Sequence, residues 1–278
     1  MHSIFSDGTD TPEELLGTVR NAGIKIFSVT DHDEIKSCRI MKELTSKEDI
    51  TYITGVEFSC KDDEGKYHIL GYDFDPSAGA VNALTEEAHN ARIKKVRMRI
   101  ERLRDEYGIE FSSSDIDKLF SLDNPGKPHI GNLLVRYGHA KTRNEAIEHY
   151  LNRMKISLGR IEPERAIKAI LDSGGIPVLA HPVFGSGDET ISEDLMEARL
   201  LKLKGHGLLG IEAFYSGFTS EERSEMLSFA DRFDLFVTAG SDYHGSNKTV
   251  SPGDTGFGAD TEMPAGMKSF LRAVGITF

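Results

Sequence analysis

The chain has 278 residues, 38% of them hydrophobic and 28% charged, which is typical of a globular protein with one large or two modest domains. A formal net charge of −12 argues against binding to long nucleic acid, because such binding depends on many contacts between basic side chains and phosphates. No apolar run is long enough to span a bilayer and no leader is evident, so we expect a cytoplasmic protein with no membrane association.

The two cysteines, Cys38 and Cys60, are far apart and form no Cys-x-x-Cys motif. A disulfide framework is therefore not predicted, and a reducing compartment fits this cysteine usage. Nothing in the composition points to an obligate protein partner.

Six short apolar runs are predicted to be buried strands of a largely parallel sheet, because each run is continuous rather than alternating. Between them, residues 11–14, Thr-Pro-Glu-Glu, predict a helix start, and Gly23 predicts its end. Residues 219–222, Thr-Ser-Glu-Glu, predict a second start of the same kind. This alternation predicts an α/β fold, most simply a barrel. The six runs are 24–30, 51–58, 67–74, 175–180, 208–215 and 235–239.

One pair of strands is expected to form a hairpin rather than a crossover through a helix. Residues 62–65, Asp-Asp-Glu-Gly, are a turn signal between Glu57 and His68. A hairpin that closes there places Ser59 opposite His68 and leaves His68 diagonal to Glu57, since side chains alternate along a strand. Glu57 and His68 would then lie within reach of a shared metal ion.

From residue 83 to residue 159 the strand-like runs vanish and charged helical segments replace them. Residues 86–107 place apolar side chains at helical spacing and seven basic side chains on the other faces, for which a solvated surface is the simpler interpretation. Three shorter helices are predicted over 113–122, 128–137 and 143–152. We therefore predict a small inserted helical domain, 83–159, within a main domain formed by 1–82 and 160–278.

Histidines and carboxylates recur at the ends or edges of the apolar runs. Groups at the carboxyl ends of strands meet at one face of a parallel α/β barrel. The spacing of Asp242 and His244 points both side chains to the same side if their strand continues. Taken singly, each residue is explained as well by a structural histidine or a turn, but their convergence predicts a metal site. The predicted ligands are His2, Asp7, His32, Glu57, His68, His181, Asp242 and His244.

The ligand types indicate the kind of metal. Imidazole and carboxylate groups without thiolates suit zinc, manganese or Fe(II). Eight ligands exceed the need of one ion, so we expect two or three ions that share a carboxylate. Carboxylates that hold cations add to the formal negative charge without repelling phosphate, so an acidic chain can act on a small phosphorylated substrate.

Six segments, taken in order, resemble those of the PHP family (polymerase and histidinol phosphatase), and most closely its metal-dependent phosphoesterase branch. The resemblance covers nearly the whole chain, including the inserted segment, which shares residues 126–130, Gly-Lys-Pro-His-Ile. It implies a distorted (β/α)7 barrel with an inserted small helical domain and a cluster of two or three metal ions. The six segments are 1–8, 28–33, 55–59, 68–72, 179–182 and 240–244.

The resemblance also implies which ligands act together. Our hypothesis for the chemistry is attack on phosphorus by a hydroxide that bridges two ions, with the leaving alcohol protonated by Asp242 or a nearby histidine, for which His244 is the candidate. Glu57, Asp242 and His244 are therefore the catalytic candidates. The implied ligand sets are His2, Glu57 and Asp242; Glu57, His68 and His181, with Glu57 shared; and Asp7, His32 and His244.

The sequence departs from the family at its start. The family pattern Asp-x-His-x-His-Ser is represented only by Met1-His2-Ser3. We expect the natural start to lie upstream or to have been assigned wrongly, because loss of a ligand together with half a strand is physically awkward for a working barrel.

Two acidic residues beside His32 are candidates to support the cluster. Asp31 and Asp33 are expected to orient His32 or the neighbouring backbone, as carboxylates often do for ligating imidazoles. A loop turn explains Asp31 equally well.

Three residues are candidates to bind a second phosphate of the substrate. His129 follows Pro128 at a predicted helix start, where backbone N–H groups favour anions. Lys127 and Arg160 add positive charge, and a surface charge explains Arg160 equally well.

The sequence thus predicts a metal-dependent phosphoesterase that hydrolyses a phosphomonoester or phosphodiester. In the resembling branch the substrates include 3′,5′-bisphosphorylated nucleosides and short oligonucleotides trimmed from the 5′ end. Histidinol phosphate is the rival substrate, and a non-catalytic binding or accessory module is the rival of another class. The ligand set favours an enzyme, since a degenerate module would be expected to lose several ligands.

Overall fold

A computed structural model describes residues 1–156, 161–183, 191–258 and 260–277 of the chain. The chain divides into two compact units, the first formed by Met1–Thr85 with Ile161–Phe278 and the second by Glu86–Arg160. The second unit therefore covers almost the same residues as the helical segment predicted from the sequence.

Seven strands are described in the first unit, in two sheets. One sheet is the parallel pair β1–β2, and the other has the order β3-β4-β5-β6-β7. The prediction of a largely parallel sheet is right for the pair β1–β2 and for β5, β6 and β7. The antiparallel pairing of β3 with β4 is the predicted hairpin, and the prediction is wrong for β4 and β5, which are also antiparallel. The pairings recorded among the described residues do not close a barrel. The strands are β1 (Ile26–Phe27), β2 (Thr51–Tyr52), β3 (Gly55–Asp62), β4 (Gly65–Tyr72), β5 (Ile176–Leu179), β6 (Gly210–Tyr215) and β7 (Phe236–Gly240).

The antiparallel pairing has a local cause in the β3–β4 hairpin. Asp62 pairs with Gly65, so the turn between the strands is too short for a crossover, and Gly65 takes a positive φ of 144°. Ser59 stands opposite His68 and Glu57 opposite Leu70, so the predicted hairpin and its register are confirmed.

Ten α-helices are described, and several begin as the sequence predicts. The Thr11 hydroxyl accepts from Glu14 N at 3.2 Å while Thr11 N donates to Glu14 Oε2 at 2.8 Å, and Thr219 forms the same capping box. None of the described helices combines the length and the hydropathy needed to cross a bilayer. The helices are α1 (Pro12–Asn21), α2 (Lys36–Thr45), α3 (Gly79–Tyr107), α4 (Ser113–Phe120), α5 (Lys127–Arg136), α6 (Arg143–Ala146), α7 (Pro163–Asp172), α8 (Glu193–Gly205), α9 (Ser220–Arg232) and α10 (Ala265–Ala273).

Each unit buries its own apolar side chains. In the first unit, one cluster joins α1 and α2 to β1, with Leu15, Val19 and Met41 fully buried. In the second unit, Val96 and Leu103 of α3 pack with Ile130 and Leu134 of α5. The second unit therefore has a hydrophobic core of its own among α3 to α6.

Candidate metal centre

The eight side chains predicted as metal ligands lie together in the first unit. Glu57, the third residue of β3, is at their centre and is 3% exposed. Three groups of ligand atoms, each within 4.8 Å of one another, are formed by seven of the eight residues, and His181 contacts Glu57 directly. Residues from widely separated parts of the sequence therefore converge on one carboxylate.

The first group is formed by His2, Glu57 and Asp242, as the resemblance implies. His2 Nε2 lies 3.1 Å from Glu57 Oε2 and 3.1 Å from Asp242 Oδ1. The imidazole of His2 is also stacked on that of His244, with ring centroids 4.0 Å apart. One nitrogen of a buried imidazole thus faces two carboxylates.

The second set is formed around the other oxygen of Glu57. Glu57 Oε1 lies 2.6 Å from His68 Nδ1 and 3.2 Å from His181 Nε2, and the two imidazole nitrogens are 3.2 Å apart. These are the three residues that the resemblance assigns to a second ion. Because Oε1 and Oε2 face different histidines, Glu57 has the geometry of a shared ligand.

The third group departs from the implied set. It contains Asp7, His32 and His244, but His2 joins it, and His32 belongs equally to a group with Glu57 and His68. Asp7 Oδ1 lies 3.1 Å from His244 Nε2 and 3.8 Å from His2 Nδ1. The ligand atoms form one continuous cluster rather than three separate sites.

Strained backbone helps to bring the ligands together. Asp242 has a φ of 53° and His181 a φ of 26°, values that residues with a Cβ rarely adopt and that cost about 1–3 kcal/mol each. The strand does not continue through Asp242 and His244, because β7 ends at Gly240, so strand alternation does not orient these two side chains. The left-handed turn at Asp242 directs both side chains into the cluster instead.

The electrostatics of the cluster favour positive charge. Burial lowers the pKa of His2, but the carboxylates of Asp242 and Glu57 outweigh burial and raise it to about 10. Burial also lowers the pKa of His181, and Glu57 raises it to about 9. For His32 burial prevails and lowers the pKa to about 4. Burial acts to raise the pKa of Glu57, but the neighbouring histidines hold it well below its usual range.

The donor set fits a divalent cation. Three ligands of a tetrahedral zinc ion lie about 3.3 Å from one another, given metal–ligand bonds of about 2.0–2.1 Å. The atoms around Glu57 Oε1 lie 2.6–3.2 Å apart, close to that spacing. At neutral pH, protons on His2 and His181 balance the carboxylates, and a cation bound to the same nitrogens would supply that charge.

Asp31 supports the cluster through a different contact from the one expected. Its carboxylate is fully buried and accepts from Ser3 N, Ser3 Oγ and Ser6 Oγ, each at 2.7 Å. Asp31 therefore fixes the loop that carries His2 and Asp7. These side-chain contacts of Asp31 are thus with the segment that carries His2 and Asp7, whereas the sequence suggested a role beside His32.

Asp33 holds the backbone between two ligands. Its Oδ1 accepts from Ser59 N at 2.8 Å, and its own N–H donates to Glu57 O at 2.9 Å. The segment that carries His32 is thereby tied to β3 beside Glu57.

Three residues near the cluster were not singled out from the sequence. Glu212 is 4% exposed in β6, and burial raises its pKa to about 7, with Glu57 adding to the effect. Tyr215 donates its hydroxyl proton to Asp242 Oδ2 at 2.9 Å, and Lys248 forms an ion pair with the same oxygen. A glutamate inside the apolar run 208–215 was the one available signal, because buried carboxylates in strands are rare without a partner.

The residues predicted to bind a second phosphate lie in the second unit or outside the described residues. Lys127 donates to Asn152 Oδ1 at 2.6 Å, and His129 Nδ1 accepts from Gly126 N at 3.1 Å at the start of α5. Arg160 lies outside the described residues.

A cavity of about 300 Å³ adjoins the cluster in the first unit. His2, Glu57, His181 and Asp242 line it on the side of the cluster, and Glu212 also borders it. The remainder of its lining is largely apolar, from β1, β7 and α10. The ligand side chains are therefore reachable from an internal space as well as through the partly exposed Asp7.

Comparison with known proteins shows the family to which the chain is similar. The model of the PHP domain matches residues 1–159. A 3′,5′-nucleoside bisphosphate phosphatase from Chromobacterium violaceum is 28% identical over 92% of this chain and 87% of its own. A 5′-3′ exoribonuclease from Haemophilus influenzae is 27% identical over 87% of this chain and 88% of its own. A phosphoribosyl 1,2-cyclic phosphate 1,2-diphosphodiesterase from Eggerthella lenta is 28% identical over 88% of this chain and 92% of its own.

Solved structures share the fold. One described as a metal-dependent phosphoesterase from Bifidobacterium adolescentis superposes with a TM-score of 0.80 at 26% identity, over 98% of this chain and 94% of the other. An amidohydrolase from Chromobacterium violaceum, with bound sulfate and no metal, gives a TM-score of 0.79 at 24% identity, over 98% of this chain and 94% of the other. The three sequence relatives are named as enzymes that hydrolyse phosphoric esters. The two solved structures share the α/β fold of this chain.

Proposed function

The chain belongs to the PHP domain family, and from this premise we propose that it is a metal-dependent phosphoesterase that hydrolyses a small phosphorylated molecule. The substrate we propose is a 3′,5′-nucleoside bisphosphate or a short 5′-phosphorylated oligonucleotide. It is supported by relatives along most of the chain that are named as a 3′,5′-nucleoside bisphosphate phosphatase and a 5′-3′ exoribonuclease. The single observation that carries the proposal is the position of Glu57 between two sets of imidazole ligands.

We propose two or three divalent ions of manganese, zinc or iron at this cluster. His2 and Asp242 would bind one ion with Glu57, and His68 and His181 a second with the same carboxylate. Asp7, His32 and His244 are available for a third. When bound, such ions lower the pKa of water and neutralise charge on phosphate oxygens. Imidazole and carboxylate ligands in this number support more than one ion.

The protein's own residues would orient the ions and the substrate. Oδ1 of Asp242 contacts His2, whereas Oδ2 accepts from Tyr215 and pairs with Lys248. Contacts to both oxygens therefore fix the orientation of this carboxylate. Burial acts to raise the pKa of Asp242, but His2 holds it far below the usual range, so Asp242 is a poor proton donor. Of the two alternatives for protonating the leaving alcohol, we therefore favour a histidine, with His244 as the candidate when only two ions are bound and its Nε2 holds no metal.

We also propose that the two sheets are parts of a distorted seven-stranded (β/α)7 barrel, with the second unit as its inserted helical domain. Seven strands are described, and an isolated parallel bridge joins His32 to Glu57, so the chain beyond β1 reaches β3. Family membership supports the same architecture.

A role for the second unit in recognising the substrate is a further part of the proposal. It rests on the resemblance of residues 126–130 and on the charge of Lys127 and Arg160. Lys127→Ala is expected to raise KM with kcat unchanged, because a phosphate contact remote from the reacting bond contributes uniform binding. A fall in kcat with KM unchanged would argue against this assignment.

The substrate proposal is tested by comparing hydrolysis of three compounds by protein loaded with Mn²⁺. We expect turnover of a 3′,5′-nucleoside bisphosphate or of a short 5′-phosphorylated RNA to exceed that of histidinol phosphate. A preference for histidinol phosphate would reverse the substrate assignment within the same chemistry. Inactivity on all three compounds, with metal bound, would favour a binding module.

A further inference from the structure

Glu212 is a buried carboxylate that belongs to none of the ligand groups found among the described residues. It lies in β6, where the pairing with β7 shifts in register between Glu212 and Phe214. Irregularities of this kind re-aim side chains and are common beside active sites. The strand thus presents a carboxylate to the loop that follows β5.

The contact that Glu212 makes is with the backbone of a ligand. Its Oε2 accepts a hydrogen bond from His181 N at 2.7 Å. His181 has a φ of 26°, which residues with a Cβ rarely adopt, and it precedes Pro182, which further restricts its backbone. From this conformation the imidazole reaches Glu57, with Nε2 3.2 Å from Oε1. The hydrogen bond to Glu212 is therefore made by the strained residue whose backbone orients the imidazole toward Glu57.

The other oxygen of Glu212 is seated against a glycine. A Cβ atom at Gly240, in β7, would lie 1.9 Å from Glu212 Oε1 and 2.9 Å from Cδ. Gly240 is not among the residues with positive φ, so space for the carboxylate, and not backbone conformation, requires a glycine here. The three strands β5, β6 and β7 are neighbours in the sheet, so the contact runs across them.

We propose that Glu212 is a positioning residue that holds His181 in its ligating conformation, with Gly240 as the space that admits the carboxylate. The inference rests on the proposed function in that His181 is taken as a metal ligand. It does not depend on the charge of Glu212, because a carboxyl oxygen accepts from a backbone N–H in either protonation state.

Four variants test this role through metal binding rather than hydrolysis. Glu212→Ala removes the acceptor, Glu212→Gln keeps an amide oxygen in its place, and Gly240→Ala displaces the side chain. The fourth variant combines Glu212→Ala with Gly240→Ala. Mn²⁺ affinity is measured by calorimetry, and the absorption spectrum of the Co²⁺ form reports the ligand geometry.

We expect Glu212→Ala and Gly240→Ala each to weaken Mn²⁺ binding about 10- to 100-fold and to alter the Co²⁺ spectrum, because both release His181. Glu212→Gln should stay within about threefold of the parent, since the acceptor is retained. The double variant should bind no more weakly than Glu212→Ala alone, because the two substitutions remove one interaction.

Parental Mn²⁺ affinity in Glu212→Ala, or additive losses in the double variant, would overturn the proposal. If Glu212→Ala does not fold, Gly240→Ala against Glu212→Gln makes the same comparison. A parent protein that binds Mn²⁺ but hydrolyses no phosphoester would refute the proposed function and leave this inference standing.

Discussion

Glu57 and His68 lie diagonally across the β3–β4 hairpin, with Glu57 Oε1 2.6 Å from His68 Nδ1. The other oxygen of Glu57 faces His2, at 3.1 Å. One carboxylate therefore contacts imidazoles from two distant parts of the sequence. This double contact is the basis of the first prediction, because each oxygen of Glu57 faces a different set of imidazoles.

Glu57→Gln is expected to weaken Mn²⁺ binding by about 100-fold or more. Loss of a contact that only supports a ligand lowers metal affinity by about 10- to 100-fold, and loss of a shared ligand should lower it further. Phosphoesterase activity should fall with the metal content. Metal content is measured by elemental analysis of dialysed protein. Glu43→Gln, a change at an exposed position of α2, is the matched control and should retain the metal. Full metal content in Glu57→Gln would show that Glu57 is not a ligand.

The pKa shifts of two histidines predict a pH-dependent loss of stability in the metal-free protein. The pKa values of His2 and His181 are raised from 6.5 to about 10 and about 9. Their contribution to the free energy of unfolding is therefore fully present below about pH 6.5 and is lost as the pH rises through 9 to 10. Urea unfolding at pH 6.5 and pH 9.5 measures this loss.

The metal-loaded protein is the control for that experiment. A bound cation takes the place of the protons, so the loss of stability over the same pH range should be smaller than in the metal-free form. Equal losses in both forms would show that other groups cause the pH dependence.

Asp31 provides the third prediction, because its buried carboxylate accepts three hydrogen bonds from Ser3 and Ser6. Asp31→Ala leaves these donors without their acceptor and should lower the free energy of unfolding by about 3 kcal/mol. It should also weaken metal binding, since the loop carries His2 and Asp7. Asp49→Ala, at a fully exposed position, is the control and should change stability by less than about 1 kcal/mol. An Asp31→Ala protein with parental stability would contradict this view of the loop.

Local signals in the sequence were sufficient for the hairpin and the helix starts. The turn residues between Glu57 and His68 define the register by themselves, because a turn of this length permits one pairing. The capping boxes at Thr11 and Thr219 depend only on residues three positions apart. These features were predictable because each is decided within a few residues.

Features that depend on tertiary contacts were not predictable in the same way. The run 24–30 forms only the two residues of β1, because its remainder turns toward the cluster at His32. Asp242 departs from strand geometry through a left-handed φ that no sequence rule required. Glu212 lies within the apolar run 208–215, and its contact with His181 depends on the neighbouring positions of β5 and β6, the irregular pairing of β6 and the backbone of His181.

The second unit provides a prediction that separates its core from the metal cluster. Leu134 is fully buried among α3 to α6, and Leu134→Ala should lower the free energy of unfolding of this unit by about 2–5 kcal/mol. Mn²⁺ content should be unchanged, because all eight predicted ligands lie in the first unit. Hydrogen exchange read unit by unit, together with elemental analysis, measures both effects. Loss of metal in Leu134→Ala would contradict the assignment of all ligands to the first unit.

The most direct measurement is phosphoester hydrolysis before and after the metal is removed. Protein treated with a chelator and dialysed is assayed on a 3′,5′-nucleoside bisphosphate, then assayed again after addition of Mn²⁺. The cluster around Glu57 predicts loss of activity in the stripped protein and its return with the metal. Hydrolysis at the original rate by protein shown to contain no metal would contradict the account.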